Sequence, residues 1–419
     1  MDKAEFYREA RDDVDGPLHG LRVLDVTTVW SGPMANCVLA DLGADVIRVE
    51  LPGGRGQPPP EIPGTGLSWF HQTVNRNKRG ICLDLRQPPA RRVFLALVAT
   101  ADLVVENFRP GTLDGWGVGY QDCRAVKRDI VVVSISGWGQ FGPAAARRGY
   151  DPVVQAESGW MALNGGRGDD PVKAPTFLAD DMAGLHGAIA ALAALRHRDR
   201  TGEGQHVDVA MLDALLYSSN GYLTLAATGA APRRLGDETE FVVPSNAYDC
   251  ADGRVYLVVA LDRQWRALAE TMGCPRLARA PGFARNDERR ANRDEVNRLV
   301  AQWCRERPVA EVLAALERAG VVAGQVRELA DVAADPHIRE RDMLQQTVLW
   351  NGTRAPLVGP AAKFARTPTR VRMGAPAPGQ HTDEVLAEIG IGADERGALH
   401  AAGATGSPTA PAGGAAGGG

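Results

Sequence analysis

Paired cysteines, clustered histidines and any basic excess are missing from this 419-residue chain. Its six cysteines (Cys37, Cys82, Cys123, Cys250, Cys274 and Cys304) are scattered with no Cys-x-x-Cys pair. That offers no metal cluster and suits buried thiols in a reducing compartment. The eight histidines show neither His-x-x-x-His nor His-Glu-x-x-His spacing, so no metal site is expected. No Gly-x-Ser-x-Gly elbow marks a serine hydrolase. Counting 47 Lys and Arg against 51 Asp and Glu leaves −4, without the electrostatic footprint of a nucleic-acid binder. The N-terminus is charged rather than apolar, unlike a secretory signal. No window is expected to reach the apolar length of a membrane span, and a cytoplasmic protein is anticipated. What remains is an ordinary globular composition, 44% hydrophobic and 23% charged, at a length that favours two domains.

Along the chain, residues 1–18 read as a polar extension. Leu21 to Val26 reads as a buried strand, a helix follows to about Leu42, and Gly43 closes it ahead of a second strand, Asp45 to Glu50. This βαβ start implies a parallel sheet with helices on its faces. Gly80 to Leu85, Leu103 to Glu106 and Ile130 to Ser136 read as further strands, the last apolar enough to be covered on both faces. Residues 88–100 read as a helix, and the Gly/Pro-rich segment 51–66 as a surface loop. The large Rossmann-like domain is expected over 19–222, with a smaller α+β domain over 225–335. The smaller domain shows a strand, Arg254 to Ala260, then helices Gln264 to Met272, Arg293 to Arg305 and Pro308 to Arg318, with Pro308 in the first turn. Residues 336–400 are expected to return to the large domain, with a helix from Thr382 to Ile389. The Ala/Gly/Pro/Ser/Thr tail 401–419 is expected to be disordered, and no internal repeat is present.

Asp180 stands at the mouth of an apolar helix in which Met182, Leu185, Ile189, Leu192 and Leu195 recur at steps of three and four, the mark of one buried stripe. An aspartate there is a preferred N-cap, and the helix dipole favours its ionised form. The same features suit a carboxylate nucleophile. From these residues alone the plain cap is the simpler reading. A dinucleotide fold would need three glycines in the turn after the first strand. Thr27 to Pro33 has one glycine and a proline, which argues against NAD.

Ten segments in order resemble the class III CoA-transferases, the CaiB/BaiF family of formyl-CoA transferase type. They are Gly20-Leu-Arg-Val-Leu-Asp-Val-Thr27, Ser31-Gly-Pro33, Ala40-Asp-Leu-Gly-Ala-Asp-Val-Ile-Arg-Val-Glu50, Asn77-Lys-Arg79, Val105-Glu-Asn-Phe-Arg-Pro-Gly111, Ser134-Ile-Ser-Gly-Trp-Gly-Gln-Phe-Gly-Pro143, Gly149-Tyr-Asp151, Asp180-x-x-x-Gly184, Thr201-Gly-Glu-Gly-Gln205 and Gly379-Gln-His-Thr-Asp-Glu-Val-Leu386. The resemblance spans roughly residues 20–395. It implies CoA transfer from an acyl-CoA to a free carboxylic acid, with CoA esters as substrates, no cofactor and an interlocked homodimer. In the family an aspartate attacks the thioester and forms a mixed anhydride, and its position matches Asp180. Asp181 does not match.

The resemblance further places Val29 and Trp30 at the pantetheine entrance, Asn107 and Phe108 against CoA, and Leu83 and Arg86 near the nucleotide. Arg148 keeps a positive charge found in the family, and Tyr150 and Met211 match residues near the thioester. Core packing is an equal reading for Phe108, Tyr150 and Met211, and solvated charge for the two arginines. Trp30 replaces the glutamine of formyl-CoA transferase, Leu51 replaces its arginine, and Gly115 stands where many members are basic. No glycine-rich lid lies between 225 and 262, which argues against formyl or oxalate chemistry. α-Methylacyl-CoA racemases share the fold but use a histidine in a Gly-His-Asp segment. Here that segment is Gly149-Tyr150-Asp151, and a phenol near ~10 is a poor substitute for imidazole near ~6.5. This position favours transfer over racemisation.

Overall fold

The structure is a computed structural model and describes residues 1–53 and 60–406. Six strands form one parallel sheet: β1 (Arg22–Val26), β2 (Asp45–Glu50), β3 (Lys78–Cys82), β4 (Leu103–Glu106), β5 (Val131–Ser136) and β6 (His206–Ala210). Their order is β3-β2-β1-β4-β5-β6, that of a doubly wound nucleotide-binding sheet. The helices that matter here are α1 (Ser31–Asp41), α2 (Trp69–Asn75), α3 (Pro88–Val98), α4 (Asp151–Glu157), α5 (Leu178–Thr201) and α6 (Met211–Tyr217). Alternate strand residues feed two cores. Val23, Val105, Val131, Val133 and Ile135 face α1 and α5, while Leu24, Val104 and Val132 face α3. Helix α3 starts on Pro88, where a missing N–H costs nothing, and buries Ala90, Val93, Phe94 and Leu97 at helical spacing. Each such buried aliphatic or aromatic side chain contributes about 1.5–3 kcal/mol.

Helix α5 departs from the expected pattern. Its buried face is Ala179, Ala183, Gly184, Gly187, Ala188, Ala191, Ala194 and Leu195, whereas Leu185 and Ile189 are 38% and 61% exposed. Small residues face inward because α1 and β5 lie too close for larger ones. A Cβ on Gly184 would sit 2.9 Å from Met34 Cβ and Ser31 O, and one on Gly187 would sit 2.7 Å from Ile135 Cδ1. The helix is also 24 residues long and apolar enough to cross a membrane by length and composition, with 44% of that window buried. This corrects the expectation that no window would reach that length.

By contacts the chain forms two compact units. One comprises 1–160, 174–224 and 336–419; the other comprises 161–173 and 225–335. The second unit carries an antiparallel sheet ordered β9-β8-β7, from β7 (Ser245–Asp249), β8 (Arg254–Val258) and β9 (Val322–Gln325). Helices α7 (Asp262–Thr271), α8 (Arg293–Arg305) and α9 (Val309–Arg318) cover it with Trp265, Val296, Val300, Trp303, Val312 and Leu316. Pro308 is the N-cap of α9 rather than a residue of its first turn. Within the first unit, β10 (Leu344–Val348) and β11 (Arg354–Val358) form a hairpin, and α10 (Thr382–Glu388) packs near β3. Residues 401–406, expected to be disordered, are placed, with Ala404 and Thr405 buried; 407–419 lie outside the described residues. In the segment 51–66, Glu61–Ile62 pairs with Leu67–Ser68, and 54–59 lie outside the described residues.

Candidate active site

In this strand order the connections after β1 and β4 lead to opposite sides of the sheet, leaving a crevice at their C-terminal ends. Two loops meet there. Asn107, just past β4, donates from Nδ2 to Thr28 O at 2.7 Å and accepts the Thr28 N–H at Oδ1, also at 2.7 Å. Its Nδ2 also reaches Ser31 Oγ at 3.4 Å. Gly32 is required in this contact, since a Cβ would fall 2.5 Å from Thr27 Cγ2 and 3.0 Å from Asn107 Cγ. Val29 is exposed and holds φ 62°, a left-handed conformation unusual for a branched residue and common at functional loops.

A buried ion pair supports the loop from behind. Lys78 Nζ donates to Asp25 Oδ2 at 2.8 Å, Pro33 O at 2.9 Å and Asn75 Oδ1 at 3.0 Å. The other Asp25 oxygen accepts the Thr27 N–H at 3.1 Å and the Thr27 hydroxyl. Burial lowers the Lys78 pKa, and the neighbouring Asp25 opposes the shift.

The tight α1–α5 packing brings Ser31, first residue of α1, to Asp180 in the first turn of α5. Ser31 stands beside the Asp180 carboxyl and favours its ionised form. Asp180 is not the helix cap. Phe177 holds the N-cap position, and the Ala179 N–H goes to Asp151 Oδ1 at 2.7 Å. Gln155 Nε2 holds Asp151 Oδ2 at 2.7 Å. The Asp180 side chain therefore serves no capping bond and is 9% exposed. Burial pushes its carboxyl up to about 7; the Asp151 and Asp181 charges add to this and the nearby Ser31 opposes it. The sequence argument from helix position alone had favoured the ionised form, and desolvation outweighs it. Asp181 accepts the Trp30 indole N–H at 2.7 Å, and burial raises its pKa too. The Trp30 ring packs against Phe70 at 4.7 Å, Phe177 at 4.8 Å and Trp69 at 5.8 Å between centroids.

The structure thus brings Trp30, Asn107 and Asp180 together around Ser31 and Asp181, with Val29 and Phe108 on the same two loops. The Phe108 ring meets Trp116 edge-on at 5.1 Å. Tyr150 is 65% exposed at the start of α4, adjacent in sequence to Asp151. Arg148 is exposed, and its carbonyl accepts from Trp138 Nε1 at 3.4 Å. Leu83 is buried in the core beyond β3, bridged to Thr405. Arg86 is exposed, its guanidinium held by Asp84 at 2.7 and 2.9 Å, which keeps the Asp84 carboxyl down at about 2. Met211 is buried in the core at the start of α6. No hydrogen bond among the described residues links Leu83, Arg86, Arg148 or Met211 to Asp180. Sequence reasoning passed over Ser31 and Asp151 as participants, although both stand in quoted motifs. It also missed Asp25 and Lys78, whose pairing has no sequence signal beyond two charges in strands. Among the described residues no group of three or more His, Cys, Asp or Glu is disposed to hold a metal.

Residues 18–382 match the family model described as CoA-transferase family III. A succinate–glutarate CoA-transferase of Agrobacterium fabrum is 36% identical over 385 residues, 89% of this chain and 96% of the relative. The beta subunit of succinyl-CoA–L-malate CoA-transferase from Chloroflexus aurantiacus is 35% identical, covering 89% of this chain and 94% of its own. A CaiB/BaiF family protein of Brucella suis, known as a crystal structure, superposes with a TM-score of 0.79 at 34% identity over 90% of this chain and 100% of its own. A buried aspartate at the switch point of a parallel sheet, in a chain matched along most of its length, leads to one conclusion: this protein belongs to CoA-transferase family III and is a CoA-transferase of acyl-CoA and carboxylate substrates.

Proposed function

We propose that the protein moves CoA from a dicarboxylic acyl-CoA to a second free acid, with Asp180 as the covalent nucleophile. The observation carrying this is the Asp180 carboxyl itself, 9% exposed, uninvolved in capping, and beside Ser31 where β1 and β4 part. With a pKa raised to about 7, a substantial fraction is ionised at neutral pH, and the ionised form needs no general base. Its raised basicity makes it a stronger nucleophile than an exposed aspartate.

In the first step an Asp180 oxygen adds to the thioester carbonyl and the C–S bond breaks, releasing CoA thiolate and leaving a mixed anhydride. The thiolate then attacks the aspartyl carbonyl of the anhydride, freeing the donor acid and giving an aspartyl thioester. The acceptor carboxylate reverses both exchanges and departs as the new CoA ester, with Asp180 restored. No resident cofactor enters this scheme. Val29 and Trp30 would line the pantetheine entrance, Asn107 and Phe108 would contact CoA, Tyr150 and Met211 would lie near the thioester, and Arg86 and Arg148 would serve the phosphates. The succinyl and glutaryl substrates in the relatives' names favour a four- or five-carbon diacid as donor. The six free cysteines, four of them buried, favour a reducing, cytoplasmic setting.

Asp180→Ala should abolish transfer while CoA affinity stays within about two-fold. Hydroxylamine trapping with intact-mass analysis during turnover should modify the wild type at Asp180 and leave the variant unmodified. Turnover retained in Asp180→Ala rejects the mechanism. A panel of acyl-CoA donors against diacids and aromatic acids, read by mass spectrometry, tests the substrate class.

A further inference from the structure

The reaction above gives no use to the Glu106 side chain, which is 6% exposed at the end of β4. Its Oε2 accepts the Phe108 N–H at 2.8 Å. Ser134, its partner across the β4–β5 ladder, stands beside the same carboxyl and favours its ionised form. Ser134 Oγ lies 2.8 Å from Nε2 of His206, an exposed residue whose ring stacks on Tyr120 at 5.1 Å. Glu106, Ser134 and His206 line a cavity of about 210 Å³ between the sheet and the helix Tyr120–Val126. On its other side, Glu106 fixes the peptide between Asn107 and Phe108, and Asn107 clamps Thr28 and touches Ser31.

We propose that Glu106 is a positioning residue for CoA binding, its carboxylate setting the Asn107–Phe108 peptide while Ser134 and His206 connect it to the cavity. The inference rests on the Asn107 and Phe108 contacts in the preceding reading. Ionised, Glu106 accepts the Phe108 N–H in a charge-assisted bond. Protonated, it keeps a neutral oxygen for Phe108, and the bond that sets the Asn107–Phe108 peptide weakens. The charged groups facing it are Asp114 from the helix Thr112–Trp116 and Asp208 and His206 from β6; Arg109, Tyr120 and Cys123 also line the cavity. Burial pushes the Glu106 carboxyl up to about 7. The nearby Ser134 hydroxyl and the Phe108 bond resist, and the Asp114 and Asp208 charges add to the shift.

The test is calorimetric titration with free CoA from about pH 5.5 to 8.5, on the wild type, Glu106→Gln and Ser134→Ala. Glutamine fixes the neutral bonding pattern, and the ionisation of CoA itself is common to all three proteins. Wild type and Glu106→Gln should bind alike at the acid end. By the alkaline end Glu106→Gln should be about five-fold weaker, the difference between a charged and a neutral acceptor, with the divergence centred near neutrality. Ser134→Ala removes a partner of the ionised form and should move the wild-type transition to higher pH. A merely structural glutamate would lower stability without moving this profile. Wild-type and Glu106→Gln curves that run parallel overturn the role of Glu106 while leaving the Asp180 chemistry standing. No CoA binding at any pH overturns both. If Glu106→Gln does not fold, an unmoved transition in Ser134→Ala is sufficient to reject the proposal.

Discussion

Asp180 and Glu106 each keep a carboxyl near neutrality by burial, and this has a consequence for stability as well as for rate. Both acids bind their proton more tightly in the folded chain than in the unfolded one. Their contribution is therefore fully present below the unfolded values near 4 and is lost as pH rises through about 7. Removing the Asp180 charge should relieve that loss. Asp180→Asn is expected to gain up to about 4 kcal/mol over the wild type at pH 8, from a shift of about three units, and little at pH 4.5. Urea melts at the two pH values check this; an equal difference at both would mean that titration is not the cause. The sequence pointed to Asp180 and, through its place at the helix N-terminus, to a low pKa; the burial that raises it to about 7 was not visible there.

At the level of single elements, the strands were legible because buried parallel strands are written as apolar runs. Leu103 to Glu106 falls at the expected residues, and Val131 to Ser136 within one. The orientation of α5 was not legible. Periodicity assigns the core to the largest side chains: Leu195 is buried as expected and Met182 and Leu192 pack at the core's edge, but Leu185 and Ile189 turn outward and most of the interior is glycine and alanine. Close approach of two helices leaves no mark on a hydrophobicity pattern, because it selects for the absence of side chain. Gly184→Ala is accordingly expected to cost about 1–3 kcal/mol by overpacking against Met34 and the Ser31 carbonyl. It should also slow transfer by moving Ser31 relative to Asp180, with CoA affinity unchanged. Denaturant melts alongside kcat measurements test this, and full activity in a destabilised variant would separate the packing from the chemistry. Asp151 was hidden for a related reason: a side chain that caps a helix from 28 residues away has no local signature.

At the scale of the whole molecule, the outward face of α5 carries Leu185 and Ile189. Beside it, Tyr217 is 82% exposed, its ring 5.1 Å from His186. Apolar surface of this kind suits a second copy of the chain. The protein is expected to sediment as a homodimer, and Ile189→Asp to shift it toward monomer in analytical ultracentrifugation. An unchanged sedimentation coefficient would place the contact elsewhere. The two-unit organisation was partly readable from composition, but the short run 161–173, which groups with 225–335, gave no compositional cue.

The outer rim of β3 is finished by distant sequence. Gly80 exchanges hydrogen bonds with His381 at 3.0 and 2.8 Å, Leu83 bridges Thr405, and the Asp84 N–H reaches Ala404 O at 2.9 Å. Until residues near 400 have left the ribosome, that rim remains an open template for pairing with other chains. A nascent chain stalled before that point would hold most of its six-stranded sheet and still be prone to aggregate, so protection of this rim is a late event in synthesis.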